Sequence, residues 1–179
     1  VEGELVYVFA DAAARQPLPV PDELRELINA FEAGKPMFDV RVGDWLTLGD
    51  DSRRVRTEVF IEEQKIPPEM EWDDADHSCI HAVAYNRLGT PVATGRLLEH
   101  VPGVAKIGRM AAVQAVRGSG VGRRVLDALM QAARERGDRE ALLHAQVSAS
   151  GFYAGAGFAA RGSEFDEVGI PHVEMVRAL

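Results

Sequence analysis

The sequence is poor in the features that mark disulfide-rich, membrane-spanning and nucleic-acid-binding proteins. Cysteine occurs once, as Cys79, which excludes intramolecular disulfides and cysteine-rich metal sites and predicts a reducing, cytoplasmic compartment. No apolar run approaches the roughly 20 residues of a membrane-spanning helix, and the N-terminus lacks the basic and apolar regions of a secretory signal. The net charge of -8 argues against nucleic acid as the main partner. We therefore expect neither a membrane nor a nucleic-acid partner.

The rest of the composition is that of an ordinary globular domain, and 179 residues suit one domain with an appendage. The apolar stretches "IHAVAYN" and "PVATGRLLEH", joined by "RLGT", predict an antiparallel hairpin. The order strand, helix, strand over residues 105–147 predicts one parallel connection. We therefore expect an α/β fold whose mixed, mostly antiparallel central sheet is flanked by helices.

Three segments have the periodicity of helices. "PDELRELINAFEAG" has Pro21 at its start, and "GVGRRVLDALMQAARERG" has an apolar face and Gly137 as its stop. "GDDSRRVRTEVFIEEQ" carries Val55, Val59 and Phe60 at helical spacing, with Asp and Ser caps ahead of them. The segment "KIPPEMEWDDADHS", which contains Pro-Pro and many acids, is predicted to be a loop.

The segment "AVRGSGVGRRVLD" places three glycines directly before the longest predicted helix. It is not a P-loop, because Gly-Lys-Ser/Thr is absent, and it lacks the third glycine of a dinucleotide fingerprint. It fits R-x-x-G-x-G, with Arg117, Gly120 and Gly122 in the fixed positions. The glycines permit close approach of a ligand oxygen, and free N–H groups at a helix start attract phosphate, helped by neighbouring arginines. The alternative is a tight turn in which Ser119 caps the helix.

Around this loop the sequence resembles the GNAT superfamily of N-acetyltransferases, whose hallmark is a strand, the motif Q/R-x-x-G-x-G/A and a helix. "HAQVSASGFYAGAGF" is similar to the second motif of that family, a strand followed by a helix with a Tyr. "VRTEVFIEEQKIPPEMEWDDAD", "GTPVATGRL", "KIGRMAAV" and "GIPHVEM" are similar to its ElaA/YjcF-like branch. The resemblance runs over residues 38–179. It implies the GNAT fold, with a sheet splayed at the cofactor cleft, for a domain over residues 36–179.

The resemblance also implies acetyl-CoA as cofactor, with the loop amides around its pyrophosphate and the preceding strand along its pantetheine arm. One amide of that strand would act as an oxyanion hole for the thioester carbonyl. The implied cofactor-binding residues are Met110, Ala111, Ala112 and Val113 on the strand and Arg117, Gly118, Ser119, Gly120, Val121, Gly122 and Arg123 in the loop. No nucleophile stands out, so we expect direct transfer to an amine of a small molecule or peptide.

Acetylation of an amine needs a base for the ammonium proton and an acid for the leaving thiolate. Tyr153 matches the Tyr of the second motif and is the predicted acid; the alternative is an aromatic residue that only packs in the core. The candidate bases are Glu62, Glu63, Glu99, His144 and His172. Each has a structural alternative, a solvated acid or a hydrogen-bonded histidine, and catalysis by positioning alone is also open.

Of these candidates, Glu62, Glu63 and His172 are expected to contact the acceptor. No pair of residues has metal-ligand spacing such as H-x-x-x-H or C-x-x-C, so we expect no metal. The segment "EEQKIPPEMEWDDAD" carries seven acids against one Lys. It would attract a cationic acceptor such as a polyamine or a basic peptide, unless its acids are merely solvated.

Residues 1–35 fall outside the GNAT pattern and form an N-terminal extension. "YVFAD" and "PLPVPDELR" are similar to the last strand and tail of a hotdog-fold acyl-CoA thioesterase, without the part that carries its acid. The chain, which begins with Val, is thus expected to be the end of a thioesterase–acetyltransferase fusion, or else to carry an idiosyncratic extension. Two other functions stay open: a non-catalytic acyl-CoA-binding or scaffolding module, and a partner domain that serves dimerisation as a homodimer.

Overall fold

The computed structural model describes residues 8–179, so the first half of the predicted strand "ELVYVFAD" lies outside the described residues. The chain forms two compact units, the first ending at Met37 and the second spanning Phe38–Leu179. In the first, β1 (Ala10–Asp11) and β2 (Gln16–Pro17) form an antiparallel ribbon. The predicted helix follows as α1 (Asp22–Glu32), directly after Pro21 and with two acids in its first turn.

The second unit is built on a seven-stranded sheet in the order β3-β4-β5-β6-β7-β9-β8. Its strands are β3 (Phe38–Gly43), β4 (Ile80–Asn86), β5 (Pro91–Val101), β6 (Val104–Ala112), β7 (Glu140–Gln146), β8 (Ala159–Glu167) and β9 (Ile170–Ala178). Every neighbouring pair is antiparallel except β6 and β7, which are parallel. The expected mixed, mostly antiparallel sheet is confirmed.

Helices cover both faces of this sheet. They are α2 (Trp45–Arg56), the short α3 (Pro68–Glu71), α4 (Val121–Arg136) and α5 (Ser150–Gly155). The Ser52 hydroxyl of α2 lies 2.9 Å from that of Thr94 on β5, whereas the next residue, Gly95, faces Val125 and Leu129 of α4. Since neighbouring residues of a strand point to opposite faces, α2 and α4 pack on opposite sides of the sheet.

The start of α2 differs from the sequence prediction. The helix begins at Trp45 and is capped by Asp44, whose carboxylate accepts a hydrogen bond from the Thr47 amide at 3.0 Å. The Asp and Ser of "GDDS" are therefore helical residues, and their prediction as caps was wrong. Beyond Arg56 the chain continues as a π-helix over Thr57–Glu63, a form that often marks functional sites.

The acid-rich segment also differs from the loop that was predicted. It forms α3 and a 3₁₀-helix over Asp74–Ser78, and two of its acids, Glu71 and Asp76, are buried. None of the helices within residues 8–179 is long and apolar enough to cross a membrane.

Strands β6 and β7 are paired only at their start and then separate. Their register runs from Val104 opposite Glu140 to Lys106 opposite Leu142, although both strands continue for several residues. On its other edge, β6 has a bulge where Arg109 adopts a left-handed backbone with φ 50°, and the register against β5 shifts there. A bulge bends its strand, which accounts for the separation. The expected splay of the sheet is confirmed.

Candidate active site

A cleft of about 400 Å³ opens where β6 and β7 separate. Its walls come from the bulged part of β6, from β7 and α5, from the π-helical segment and from the turn between β8 and β9. The lining residues that bear on chemistry are Gln64, Glu71, Asp73, Arg96, Lys106, Gly108, Arg109, Met110, His144, Gln146, Tyr153, Glu167 and His172. Beyond Lys106, the edge of β6 that faces this cleft has no partner strand. Apart from the Ala112 carbonyl, which accepts a hydrogen bond from Arg117, its outward backbone groups are thus available to an extended ligand.

The loop ahead of α4 leaves the helix N-terminus open. Gly118 and Gly120 have φ of 80° and 84°, which favour glycine, and Gly120 occupies the N-cap without a side-chain hydrogen bond. Ser119 is not the cap, because its hydroxyl donates to the Val116 carbonyl at 2.6 Å, so that alternative was wrong. The first helical hydrogen bond runs from Arg124 N–H to Gly120 O. The N–H groups of residues 121–123 consequently have no partner within the helix.

Space for a ligand exists at this N-terminus. A Cβ placed on Gly118 or Gly120 would meet no atom within 4 Å, and one on Gly122 would meet only the Phe152 ring, at 3.7 Å. Free amides, the helix dipole and open space are features that favour the binding of an anion at this helix N-terminus.

The arginines of this loop contribute less free charge than the sequence suggested. The Arg117 guanidinium donates to both carboxylate oxygens of Glu63, at 2.7 and 2.5 Å, and to the Ala112 carbonyl at 2.9 Å. Arg123 donates to Asp127 at 2.9 Å and to the Gly155 carbonyl at 3.2 Å. In the structure the backbone amides, rather than these side chains, are the free donors.

Tyr153 lies on α5 with its side chain facing the cleft, and the residue is 8% exposed. Its ring packs between Phe152 and Phe158, with centroid separations of 4.9 and 6.1 Å. Burial raises the pKa of its phenol to about 12, so the hydroxyl is protonated at neutral pH. No hydrogen bond joins this hydroxyl to another residue within the described range, which leaves it free to donate to a ligand.

Two of the five candidate bases, His144 and His172, line the cleft together with Glu167. The Glu167 carboxylate oxygen Oε2 lies 3.7 Å from His144 Nδ1 and 3.8 Å from His172 Nε2. Burial and the nearby Lys106 ammonium lower the pKa of His144, against the opposing effect of Glu167. The His172 Nδ1 lies 2.8 Å from the Ile170 carbonyl oxygen.

The three glutamates proposed from sequence as bases are not part of the cleft lining. Glu63 is held by Arg117, and the hydrogen bonds from that guanidinium lower the pKa of its carboxyl. Glu62 lies on the π-helical segment and Glu99 on β5. Of the five predicted bases, only the two histidines are thus part of the cleft lining.

The acid-rich segment is largely neutralised by arginines from α2, β5 and β6, which the sequence prediction missed. Arg56 donates to Glu71 at 2.6 Å and to Asp76 at 2.8 Å, and Arg96 donates to Asp73 at 2.6 Å and to Asp76 at 2.7 Å. Arg109 completes this set of six residues, called here the arginine–carboxylate network, with nitrogens 3.2 Å from Glu71 and 3.3 Å from Asp73. With Glu63 also paired, four of the seven acids no longer offer charge to a cationic acceptor.

The lone cysteine, Cys79, is not part of the cleft lining. Cys79 is buried, and burial raises the pKa of its thiol to about 11, so it is a protonated core residue at neutral pH. Across residues 8–179, no three His, Cys, Asp or Glu side chains are grouped so that they could hold a metal ion.

The fold and the cleft are those of an acyltransferase, and the similarities to known proteins agree. Residues 50–179 match the family model of the acetyltransferase (GNAT) domain. The uncharacterized N-acetyltransferase YjcF of Bacillus subtilis is 35% identical over 128 residues, which are 71% of this chain and 90% of that protein. The chain therefore belongs to the GNAT acetyltransferase family.

Two solved structures extend the comparison. An acyl-CoA N-acyltransferase from Pseudomonas aeruginosa superposes with a TM-score of 0.70 at 32% identity, covering 79% of this chain and 99% of that one. Escherichia coli ElaA superposes with the same TM-score at 24% identity and the same coverage. The predicted resemblance to the ElaA/YjcF-like branch is thus confirmed. The family match leaves out residues 1–35, so their likeness to a thioesterase tail stays a prediction.

Proposed function

We propose that this protein is an acetyl-CoA-dependent N-acetyltransferase that transfers the acetyl group directly to an amine of a small molecule or peptide. The observation that carries the proposal is the cleft itself. It borders the unpaired edge of β6 and reaches a buried, unbonded phenol. The glycine loop lies outside the cleft lining and leaves the N-terminus of α4 open. The Pseudomonas aeruginosa relative is named for an acyl-CoA donor, which supports the same donor here.

The residues present fit coenzyme A. The N–H groups of residues 121–123, which have no partner within the helix, would hold its pyrophosphate. The unpaired edge of β6 that includes Met110 would pair with its pantetheine arm. The bulge at Arg109 turns the strand just before Met110, whose amide would face the thioester carbonyl. When bound, acetyl-CoA supplies the acetyl group as an activated thioester.

Tyr153 would act by hydrogen bonding rather than by giving up its proton. An alkyl thiol has a pKa of about 8.5, so full transfer from a phenol of pKa about 12 would cost roughly 5 kcal/mol. A hydrogen bond from the phenol still stabilises the departing sulfur. The acceptor nitrogen loses two protons in all: one is released to a base, and the other ends on the sulfur.

The test is thiol release from acetyl-CoA with a panel of small and peptidic amines, for the wild type and Tyr153→Phe. We expect amine-dependent release that falls at least tenfold in the variant, with acetyl-CoA affinity unchanged by calorimetry. Phe preserves the ring packing, so a folding defect is not expected. Binding of acetyl-CoA without release for any amine would instead support a non-catalytic acyl-CoA-binding module.

A further inference from the structure

His144, His172 and Glu167 form a cluster of two imidazoles and one carboxylate on the face of the sheet that carries α2. His144 and Gln146 alternate with inward residues on β7, and Gln146 donates to Gln64 at the end of the π-helical segment at 3.1 Å. His172 of β9 stands opposite Gln146, and Glu167 ends β8. The cluster therefore consists of cleft-lining residues from three adjacent strands.

The hydrogen bond at His172 fixes which ring nitrogen can accept a proton. Its Nδ1 lies 2.8 Å from the Ile170 carbonyl, and a carbonyl only accepts, so Nδ1 carries the hydrogen. In the neutral ring Nε2 then bears the lone pair. That atom is 3.8 Å from the Glu167 carboxylate, and Phe165 stacks on the ring at 6.1 Å between centroids.

His144 is less suited to accept a proton. Its Nδ1 is buried without a hydrogen-bond partner, and its Nε2 lies 4.0 Å from Glu174, which Arg161 already neutralises at 2.6 Å. The Lys106 ammonium also opposes positive charge on this ring. His172, by contrast, has an oriented ring and faces the carboxylate of Glu167 with the nitrogen that accepts.

We propose that His172 is the base of the reaction, taking the ammonium proton at Nε2, and that Glu167 is a positioning residue that stabilises the resulting imidazolium. This inference rests on the proposed function. The acceptor N–H bond breaks and an Nε2–H bond forms, which leaves a neutral amine free to form the bond to the acetyl carbon as the carbon–sulfur bond breaks. The imidazolium then returns its proton to water.

The experiment uses the full chain and three variants. His172→Asn keeps an amide donor near the position of Nδ1 and removes Nε2, Glu167→Gln keeps the shape and removes the charge, and Glu164→Gln is the control. Glu164 is an exposed carboxylate on the same strand that does not line the cleft. The readouts are kcat/KM against pH for an amine that the wild type acetylates, and NMR titration of the histidines.

We expect kcat/KM of His172→Asn to fall about 100-fold at pH 7 and to rise with unit slope at higher pH, as the free amine becomes abundant. In Glu167→Gln it should fall about tenfold at pH 7, while Glu164→Gln stays within twofold. The charges that act on His144 are those of Lys106 on β6, Glu167 on β8 and Glu174 on β9, and Glu174 is paired with Arg161 of β8. Of these charges, Glu167→Gln removes only that of Glu167.

NMR provides a readout that does not depend on turnover. Glu167 raises the pKa of His144, so that ring should titrate at lower pH in Glu167→Gln, and the His172 ring should show hydrogen on Nδ1. An unchanged titration of His144 in Glu167→Gln would overturn the role of Glu167, and hydrogen on Nε2 of neutral His172 would overturn the role of His172, whatever the activity. A wild-type enzyme that acetylates amines while His172→Asn does so equally well would overturn the inference alone. No acetylation by the wild type would overturn the proposed function, and with it the role of His172.

Discussion

Replacement of Arg56 by Met is expected to destabilise the protein strongly. The guanidinium is fully buried and donates to the Glu71 carboxylate, the Glu71 carbonyl and the Asp76 carboxylate, at 2.6, 3.0 and 2.8 Å. Methionine has a similar flexible stem and no charge, so the variant leaves two buried carboxylates short of a partner. Removing one member of a buried ion pair costs about 3–5 kcal/mol.

The cost of Arg56→Met in unfolding free energy should lie near the lower end of that range. Glu71 keeps a nitrogen of Arg109 at 3.2 Å, and Asp76 keeps Arg96 at 2.7 Å. We therefore expect a loss of about 3 kcal/mol, which for a domain of this size lowers Tm by roughly 6–12 °C. Burial already raises the pKa of Glu71, and without Arg56 the neutral acid becomes more favourable still. The loss should consequently shrink as the pH falls and Glu71 takes up a proton.

The assay is urea unfolding of the wild type and the variant at pH 7.5 and at pH 5. The matched control is Arg41→Met, which removes an exposed pair with Asp39 whose side chains are 59% and 68% exposed. Such a pair contributes less than about 1 kcal/mol. Equal unfolding free energies for the two variants would refute the reasoning, because the buried ion pairs would then contribute no more to stability than the exposed pair.

The other predictions concern acid stability and the glycine loop. Hydrogen bonds from Arg96 lower the pKa of Asp73, and those from the network arginines outweigh burial and lower that of Asp76. The stabilisation that ionised Asp73 and Asp76 give the folded state is complete above their unfolded pKa of about 3.9. It is lost as the pH falls through their lower folded pKa values, so the urea midpoint should be lower at pH 3 than at neutral pH. A rising midpoint would show that protonation of Glu71, which acts in the opposite sense, dominates. Gly120→Ala and Gly103→Ala, at φ of 84° and 81°, should lose similar stability by thermal melting, because both backbones are left-handed and open. Only Gly120→Ala should also weaken acetyl-CoA binding at least tenfold by calorimetry, since its Cβ enters the expected pyrophosphate space, and equal affinities would remove the loop from the cofactor site.

The regular elements could be predicted because their signals are local. The apolar faces of α4 and of the β4–β5 hairpin repeat over many residues, and Gly137 ends α4 in the left-handed conformation that the sequence suggested. The start of α2 could not be assigned in this way. Asp44 competes as a cap with the "GDDS" that follows, and only the Thr47 amide, bound to Asp44, decides between them.

The parts of the site that could be predicted are those whose residues are close together in the sequence. The glycine loop and Tyr153 each lie within a contiguous motif, whereas the arginine–carboxylate network joins residues 15 to 38 positions apart. One signal was present, since Arg96 interrupts the mostly apolar first part of β5 and such a charge needs a partner. Glu167 gave no signal at all, because only the register of β8 and β9 brings it to the histidines.

The network also connects stability to the geometry of the cleft. Arg109 is held in a left-handed backbone that costs a non-glycine residue about 1–2 kcal/mol, and it sits directly before the amide expected to face the thioester. Its guanidinium donates to the Glu71 carbonyl at 3.1 Å, and Glu71 in turn is fixed by Arg56 of α2. Glu71 and Asp73 of the acid-rich segment therefore fix the β6 bulge at Arg109. A change at Arg56 that lowers stability should for this reason also lower kcat, even though Arg56 does not line the cleft.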